Sequence, residues 1–470
     1  MTAEHRFHRP EGQAHGRREH TVISWAFTFR MRQYVKASLW IVPLFGIILG
    51  VFLAECAIAA DRADWQPNGW RYSATTASGV LSAIVGAMVA LLGFVVTIGV
   101  LVVQQATGTL SPRYMRLWYR DRLQKAVLAT FTGTFAFAFS LLRSIESNSV
   151  PDLGVTLAGA AVAVSLLLLL VYLNRFTHNL RPVAIADLVG RMGENVLTHG
   201  AAVIRDAEPR ADAPLPSDDP VMSISSERGG AIQAFNVAAL VAEATRHDCT
   251  FVVRHLIGDF VPPGTVLVEV HGGEPSPDPQ HVAGLIALGA ERTIEQDPAF
   301  ALRILVDIAI RALSPAVNDP TTAVQLLNHI ESFLHTTGNS ELPGRYVLAD
   351  DQGRPRLVLR GRDWEDYLQL AVCEIREYGA SSVQVCRRLR ALLEGLLDSL
   401  PPAHRPAVRA ELELLREAVD RKFADPVRRA LAHTADSQGI GGRHRPGERT
   451  PRGDQWCRDV SPRGRERPCR

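Results

Sequence analysis

The stretch SGVLSAIVGAMVALLGFVVTIGVLVV, Ser78 to Val103, decides the architecture, because it is apolar and free of ionisable side chains from end to end. A helix needs roughly 20 such residues to cross about 30 Å of hydrocarbon, and this run exceeds that length. Working outward, Ser38 to Ala60 and Val155 to Phe176 are runs of the same kind. Ala126 to Leu142 is shorter and carries Thr130, Thr132, Thr134 and Ser140. Such hydroxyls can bond back to helix carbonyls, so it too reads as a span. Nothing after Phe176 has this character, so the chain divides into a four-span membrane part and a soluble part of nearly 300 residues.

Charge around the spans sets the expected orientation. Arg30, Arg32 and Lys36 precede the first span, and Arg113, Arg116, Arg120, Arg122 and Lys125 lie between the second and third. Positive loops stay on the cytosolic side, so both termini are expected in the cytosol of a cytoplasmic-membrane protein. Arg62, Arg71 and Arg143 in the opposite loops are accompanied by Asp61, Asp64, Glu146 and Asp152. Trp65, Trp70 and Tyr72 suit an outer interfacial belt. The first apolar run begins too late and runs too long for a secretory signal.

Two features inside the spans are candidates for function. Gly79, Ala83, Gly86, Ala90, Gly93 and Thr97 step by four and three, so one face of the second span is small throughout. Such a face is a pore lining or a packing seam, because small residues let helices approach closely. Glu55 lies within the first span, where an ionisable group is a functional candidate, and pairing with Arg62 or Arg71 is its structural alternative. Gly46, Gly50 and Ala54 form a second small stripe.

Composition excludes more than it assigns. The net charge of +2 across 470 residues argues against nucleic acid as a partner; membrane lipid and further copies of the chain are the expected ones, and a ligand is not identified. The six cysteines form no C-x-x-C pair, which fits a reducing compartment and no disulfide or zinc framework. No nucleophile elbow, H-E-x-x-H or Walker loop occurs, so no catalytic, cofactor or metal residue is assigned and an enzyme is the least favoured reading.

The soluble part is expected to be α+β. A basic tail covers residues 1–36, the bundle 37–176, and a connector helix with a Pro- and Asp-rich linker 177–229. Gly230 to Phe235, Thr250 to Arg254 and Ile257 to Val270 read as short strands, with turns at Gly258-Asp259 and Pro263-Gly264. Residues 230–275 resemble the barrel-sandwich modules of biotinyl and lipoyl carriers. No lysine occurs between Lys125 and Lys422, so cofactor attachment is excluded and a docking or structural module remains. A mainly helical region spans 276–433, with a Tyr346-Val-Leu and Arg356-Leu-Val-Leu hairpin inside it, and residues 434–470 read as a disordered tail.

Within the helical region, Arg303, Asp307 and Arg311 fall at every fourth position of one helix, before the turn Ser314-Pro-Ala-Val-Asn318-Asp319-Pro320. Together with Arg292 these make a candidate polar site: Arg292, Arg303, Asp307, Arg311, Ser314, Asn318 and Asp319. Its alternative is a polar corner fastening two helices, with Asp319 as the cap of the second.

Several motifs together resemble one family: Leu110-Ser-Pro-Arg113, Tyr119-Arg-Asp-Arg122, Gly133-Thr-Phe135, Gly258-Asp-Phe-Val261, Glu291-Arg-Thr293 with Gln296-Asp297, and Ala312-Leu-Ser-Pro-Ala-Val-Asn-Asp-Pro320. The resemblance is to the bacterial membrane proteins grouped as domain of unknown function 2254, from about Arg30 to His433. Ala316 stands where that family usually carries glycine. The resemblance implies the membrane architecture and carries no activity with it. Two functions follow from the residues themselves: an oligomeric channel or transport component gated by its cytosolic region, and, as the alternative, a membrane-anchored sensor or scaffold.

Overall fold

The computed structural model describes residues 24–62, 71–109, 120–146, 149–179, 181–200, 218–273 and 276–441. Trp65 and Trp70, the Leu110 to Arg113 motif, most of the linker and the tail beyond Gly441 lie outside them. A first helix, α1 (Trp25–Ala37), precedes four long apolar ones: α2 (Ile41–Arg62), α3 (Ala74–Thr109), α4 (Arg122–Arg143) and α5 (Asp152–Asn179). All four are long and apolar enough to cross a membrane. Asp121 starts α4 by accepting from the Leu123 amide at 2.9 Å.

Helix α4 is the centre of the bundle and packs against α2, α3 and α5. Its contact with α2 is made backbone to backbone. A methyl at Gly46 would strike the carbonyl of Ala129, and one at Gly50 the carbonyl of Gly133. The expected back-bonding holds for Thr132, whose hydroxyl donates to Leu128 O at 2.9 Å and reaches Pro43 O on α2 at 3.1 Å. Thr134 and Ser165 set their hydroxyls 3.3 Å apart across α4 and α5. Around these groups the interior is apolar, with Leu81, Met88, Phe137 and Leu141 at one level and Val95, Val127, Phe131 and Leu169 at the other.

Helix α6 (Pro182–Asn195) and a π-helical turn (Val196–Gly200) follow the last span. Ile185 and Val189 of α6 are buried in the soluble helical core, so the connector is part of that core. That core is built from α9 (Pro298–Ala312), α10 (Pro320–Gly338), α11 (Trp364–Gly379), α12 (Val383–Ser399), α13 (Arg405–Lys422) and the short α14 (Pro426–Ala432). The chain stays packed past His433: the Arg387 guanidinium donates to Thr434 O, and Gln384 to Gly439 O. The packed chain therefore runs past His433 at least to Gly441.

The strands correct the barrel-sandwich expectation. Strands β1 (Met222–Ser225), β3 (Thr250–Val253), β5 (Val266–His271), β7 (Arg345–Ala349) and β8 (Pro355–Arg360) form one sheet in the order β1-β5-β3-β8-β7. Strands β2 (Gly230–Phe235), β4 (Phe260–Val261) and β6 (Ile286–Gly289) form a second, in the order β4-β2-β6. No closed barrel forms among the described residues. The turns at Gly258 and Pro263-Gly264 are present, yet they carry the chain between sheets and do not close hairpins. Nor is the module confined to 230–275: β1 comes from the expected linker, and β8 pairs in parallel with β3 from about a hundred residues away. Helix α7 (Val237–Arg246) and both sheets share one core around Ile232, Leu240, Phe251, Val268 and Leu357. A short α8 (Pro279–Ala283) leads into β6.

The N-terminal basic tail is likewise more than a tail. Ser24 Oγ and the Ala26 amide both donate to Gly284 O, at 2.9 and 3.0 Å, and Ala26 packs on Ala234 and Ala287. Helix α1 is thereby docked on the small sheet.

Candidate functional site

The seven residues expected to form a polar site do not converge. Arg303 donates to Asp307 Oδ1 at 2.7 Å, one turn along α9, and to Glu374 Oε2 on α11 at 2.9 Å. This group fastens two helices. Ser314 Oγ donates to Arg311 O at 2.7 Å, closing α9. Asn318 takes a left-handed backbone, with φ of 48°, and Asp319 then caps α10 by accepting from the Thr322 amide at 3.0 Å. The turn from Pro315 to Asn318 is exposed.

Arg292 belongs to a different place, the loop running into α9. Its Nε and Nη2 both donate to Asp297 Oδ2, at 3.0 and 2.7 Å, and its guanidinium stacks over the Phe300 ring at 5.5 Å. Asp297 also caps α9 through the Phe300 amide. Burial pushes the Asp297 carboxyl up, against the pull of Arg292. Gly258 lies directly beneath Arg292 with φ of 95°, and a methyl there would collide with the guanidinium. Two of the quoted motifs thus meet in one contact.

The neighbouring residues tie this loop to everything around it. Gln296 accepts from the Phe235 amide at 2.9 Å and donates to Phe235 O at 3.2 Å, which fixes the loop to β2. Glu295 accepts from Arg120, at the entry to α4, at 2.5 Å, and the same Arg120 Nη2 donates to Gln33 of α1 at 2.9 Å. Burial opposes the charge on Glu295, but the Arg120 guanidinium outweighs it and holds the carboxyl below its usual range. Residues 295–297 therefore connect α1, the membrane bundle, the small sheet and the helical core.

Beside this junction is a cavity of about 290 Å³. The β side supplies Phe235, Val237, Leu256 and Ile257, and the helical side Tyr367 and Pro298. Val196 and Leu197, in the π-helical turn after the connector, line it, and so do Glu295 and Asp297. Tyr346 and Arg362 complete the polar part of the wall, while the exposed Arg360, next along β8 from Leu359, turns its guanidinium to Arg254 O. Burial pushes both phenols, Tyr346 and Tyr367, up, so they stand as neutral donors. Of these lining residues the sequence reading had placed Asp297 in a motif and none in a site. The signal within reach was Asp297-Pro298, the same cap as Asp319-Pro320; Arg362 arrives only through β8.

In the membrane, Glu55 is exposed on α2 and makes no ion pair or hydrogen bond with the described residues. Gly79, Ala83, Gly86, Ala90, Gly93 and Thr97 are all exposed on α3, with open space around each of the three glycines. The bundle is met instead by Ala77, Leu81, Ile84, Met88, Val95, Ile98 and Val102, which carry the same spacing displaced by two residues. Two residues turn a helix by about 200°, so the large face packs inward and the small face points away from the chain's own bundle.

A family model described as a predicted membrane protein (DUF2254) matches residues 36–395. Uncharacterized proteins of Mycobacterium bovis and of two strains of Mycobacterium tuberculosis are each 28% identical to the chain over 433 residues, covering 89% of it and 83% of their own length. No solved structure matches.

Proposed function

The chain belongs to this family of predicted membrane proteins, and on that premise we propose that it is a membrane-anchored sensor whose soluble region binds a small ligand and passes the event to the four-span bundle. One observation carries the reading: a single cavity touches both routes to the membrane. Val196 and Leu197 follow directly on the connector from α5, and Glu295 holds Arg120 at the entry to α4. A ligand that fits one arrangement of these walls better than another shifts the balance between them. In this reading the soluble region is cytosolic, as the positive residues beside the spans imply.

The test fills the cavity without a ligand. Leu256→Trp places an indole in it, and hydrogen exchange is followed in lipid nanodiscs at residues 25–37 and 120–125. Changed exchange at both segments, with an unchanged thermal midpoint, supports the sensor. Exchange identical to wild type overturns it.

A second reading, an oligomeric channel, is favoured by the small face of α3 and by Glu55, which both face away from the chain's own bundle. It requires several copies around a common axis. Proteoliposomes would then pass ions at a rate altered by Glu55→Gln; a monomer that passes none ends it.

A further inference from the structure

We infer that the outer face of the large sheet binds a soluble phosphate monoester, at a site apart from the cavity beside Glu295 and independent of the sensor reading. Strand alternation sorts the side chains of this sheet. Phe251 and Val253 of β3, Leu357 and Leu359 of β8 and Leu348 of β7 enter the shared core, with Tyr346 packed against it. The residues between them take the other face, where Val252, Val347 and Val358 form a small apolar patch of their own. By the same alternation Arg254, Arg345 and Arg360 belong to that face. A pocket of about 460 Å³ opens there, lined by Val252 and Val358, by all three arginines and by Glu269.

The register sets the arginines in one row. Arg345 and Arg360 are direct partners across β7 and β8. Val253 pairs with Leu359, so Arg254, the next residue after β3, stands beside Arg360, whose guanidinium reaches Arg254 O at 3.4 Å. Like charges directly opposite one another on a sheet repel. A lone arginine on the edge strand β7 would guard that edge against pairing, but β8 and β3 are interior strands, where no such guard is needed. The row therefore opposes folding unless an anion joins it.

The charges around the pocket define that anion. Glu269 is its one acid, and Arg254 meets it at 2.8 Å, with His271 turned to the same carboxylate from 3.9 Å. Arg345 and Arg360 have no carboxylate within ion-pair distance among the described residues, so two positive charges are left unmatched. A phosphate monoester carries close to two negative charges at neutral pH and three acceptor oxygens. Directly opposed residues have Cβ atoms about 5 Å apart, so two guanidinium groups can flank one phosphate. A sulfonate or carboxylate, with a single charge, leaves one arginine unmatched. The valines beside the row suit the organic body of the ester. A bilayer is not the occupant, because no residue lining the pocket is an exposed large hydrophobic that could enter acyl chains.

The experiment uses the full chain in nanodiscs of zwitterionic lipid and three probes: 1-naphthyl phosphate, 1-naphthalenesulfonate and inorganic phosphate. Binding is measured by calorimetry against empty discs. Naphthyl phosphate is expected to bind saturably, at least tenfold tighter than either other probe, and to lose at least tenfold in Arg345→Gln/Arg360→Gln. Arg345→Lys/Arg360→Lys, which keeps both charges, should recover part of the loss, and unchanged thermal midpoints show that both variants fold. Arg345→Gln alone, on the edge strand, should lose a smaller share and serves if the double variant does not fold.

Sulfonate or inorganic phosphate binding as tightly, no saturable binding of naphthyl phosphate, or glutamine variants that bind like wild type overturn the inference. So does full competition by phosphatidic acid added to the discs, which would make the bilayer the occupant. Leu256→Trp, in the other cavity, should leave naphthyl phosphate binding unchanged; a tenfold loss there would move the probe to that cavity and overturn the assignment. The sensor reading is decided separately, by exchange at residues 25–37 and 120–125.

Discussion

Single residues carry unequal weight in this molecule, and the decisive ones sit where two segments meet. Gly258 combines a backbone that favours glycine with the absence of room for a side chain beneath Arg292. Gly258→Ala is expected to cost about 1–3 kcal/mol in thermal or denaturant unfolding, and less when Arg292→Ala is made with it, because the collision is then gone. Glu295 supplies a pH dependence. Its carboxyl is held below the unfolded value, so its contribution is present above the unfolded pKa and is lost as pH falls through the lowered folded one. Exchange at residues 25–37 should therefore rise on acidification below about pH 4, and Glu295→Gln should raise it already at neutral pH and flatten that response. Arg356 shows how a buried charge is maintained: it donates to Asp350 Oδ2 at 2.9 Å and Asp248 Oδ1 at 2.6 Å. Arg356→Ala removes both bonds, while Arg354 and the Gln352 and Arg354 amides still donate to Asp350, and should lower the thermal midpoint in the same unfolding assay. Caps were the residue-level feature most open to reading, since Asp-Pro marks a helix start locally. Asp278, Asp297, Asp319 and Asp425 all do this in the structure.

At the level of elements, period was legible and facing was not. The spans, the α9 stripe and most soluble helices appear where apolar spacing put them. The small stripe of α3 was equally plain, but whether it met the chain's own bundle depended on which neighbour filled the other face. The structure makes opposite uses of two small stripes: that of α2 is pressed against α4, and that of α3 is open. The two predict different failures. Gly50→Ile drives a side chain into the Gly133 carbonyl and should lower folded yield and thermal stability. Gly86→Ile meets nothing in its own chain, so its thermal midpoint should stay while the mass of the detergent-solubilised assembly falls toward one copy. An unchanged mass would leave that stripe facing lipid. Strands were the least legible elements. Their turns were seen at Gly258 and Gly264, yet the partner of each strand is set by pairings such as β3 with β8, which no local window contains.

Among the described residues the bundle and the soluble region meet where α1 docks on Gly284, where Arg120 meets Glu295, where α6 is buried in the helical core and where Val103 of α3 packs against that core. All lie at the ends of the spans that the charge pattern assigns to the cytosol. A reporter fused after Phe176 should accordingly behave as cytosolic, and an externally active phosphatase fusion there would overturn that orientation. The sequence by itself determined that there are four helices apolar and long enough to span, where each lies to within a few residues, and that a mixed α+β region follows them. These are consequences of run length, hydropathy and charge, which act on contiguous residues and need no knowledge of what lies across the fold. Only the tertiary structure decided that the expected polar residues are fasteners, that the strands form two open sheets, and that Glu295, Asp297 and Tyr367 share one cavity. Those facts depend on contacts between residues far apart in the chain. The free energy that selects them comes from burial and pairing across the fold, which no single segment contains.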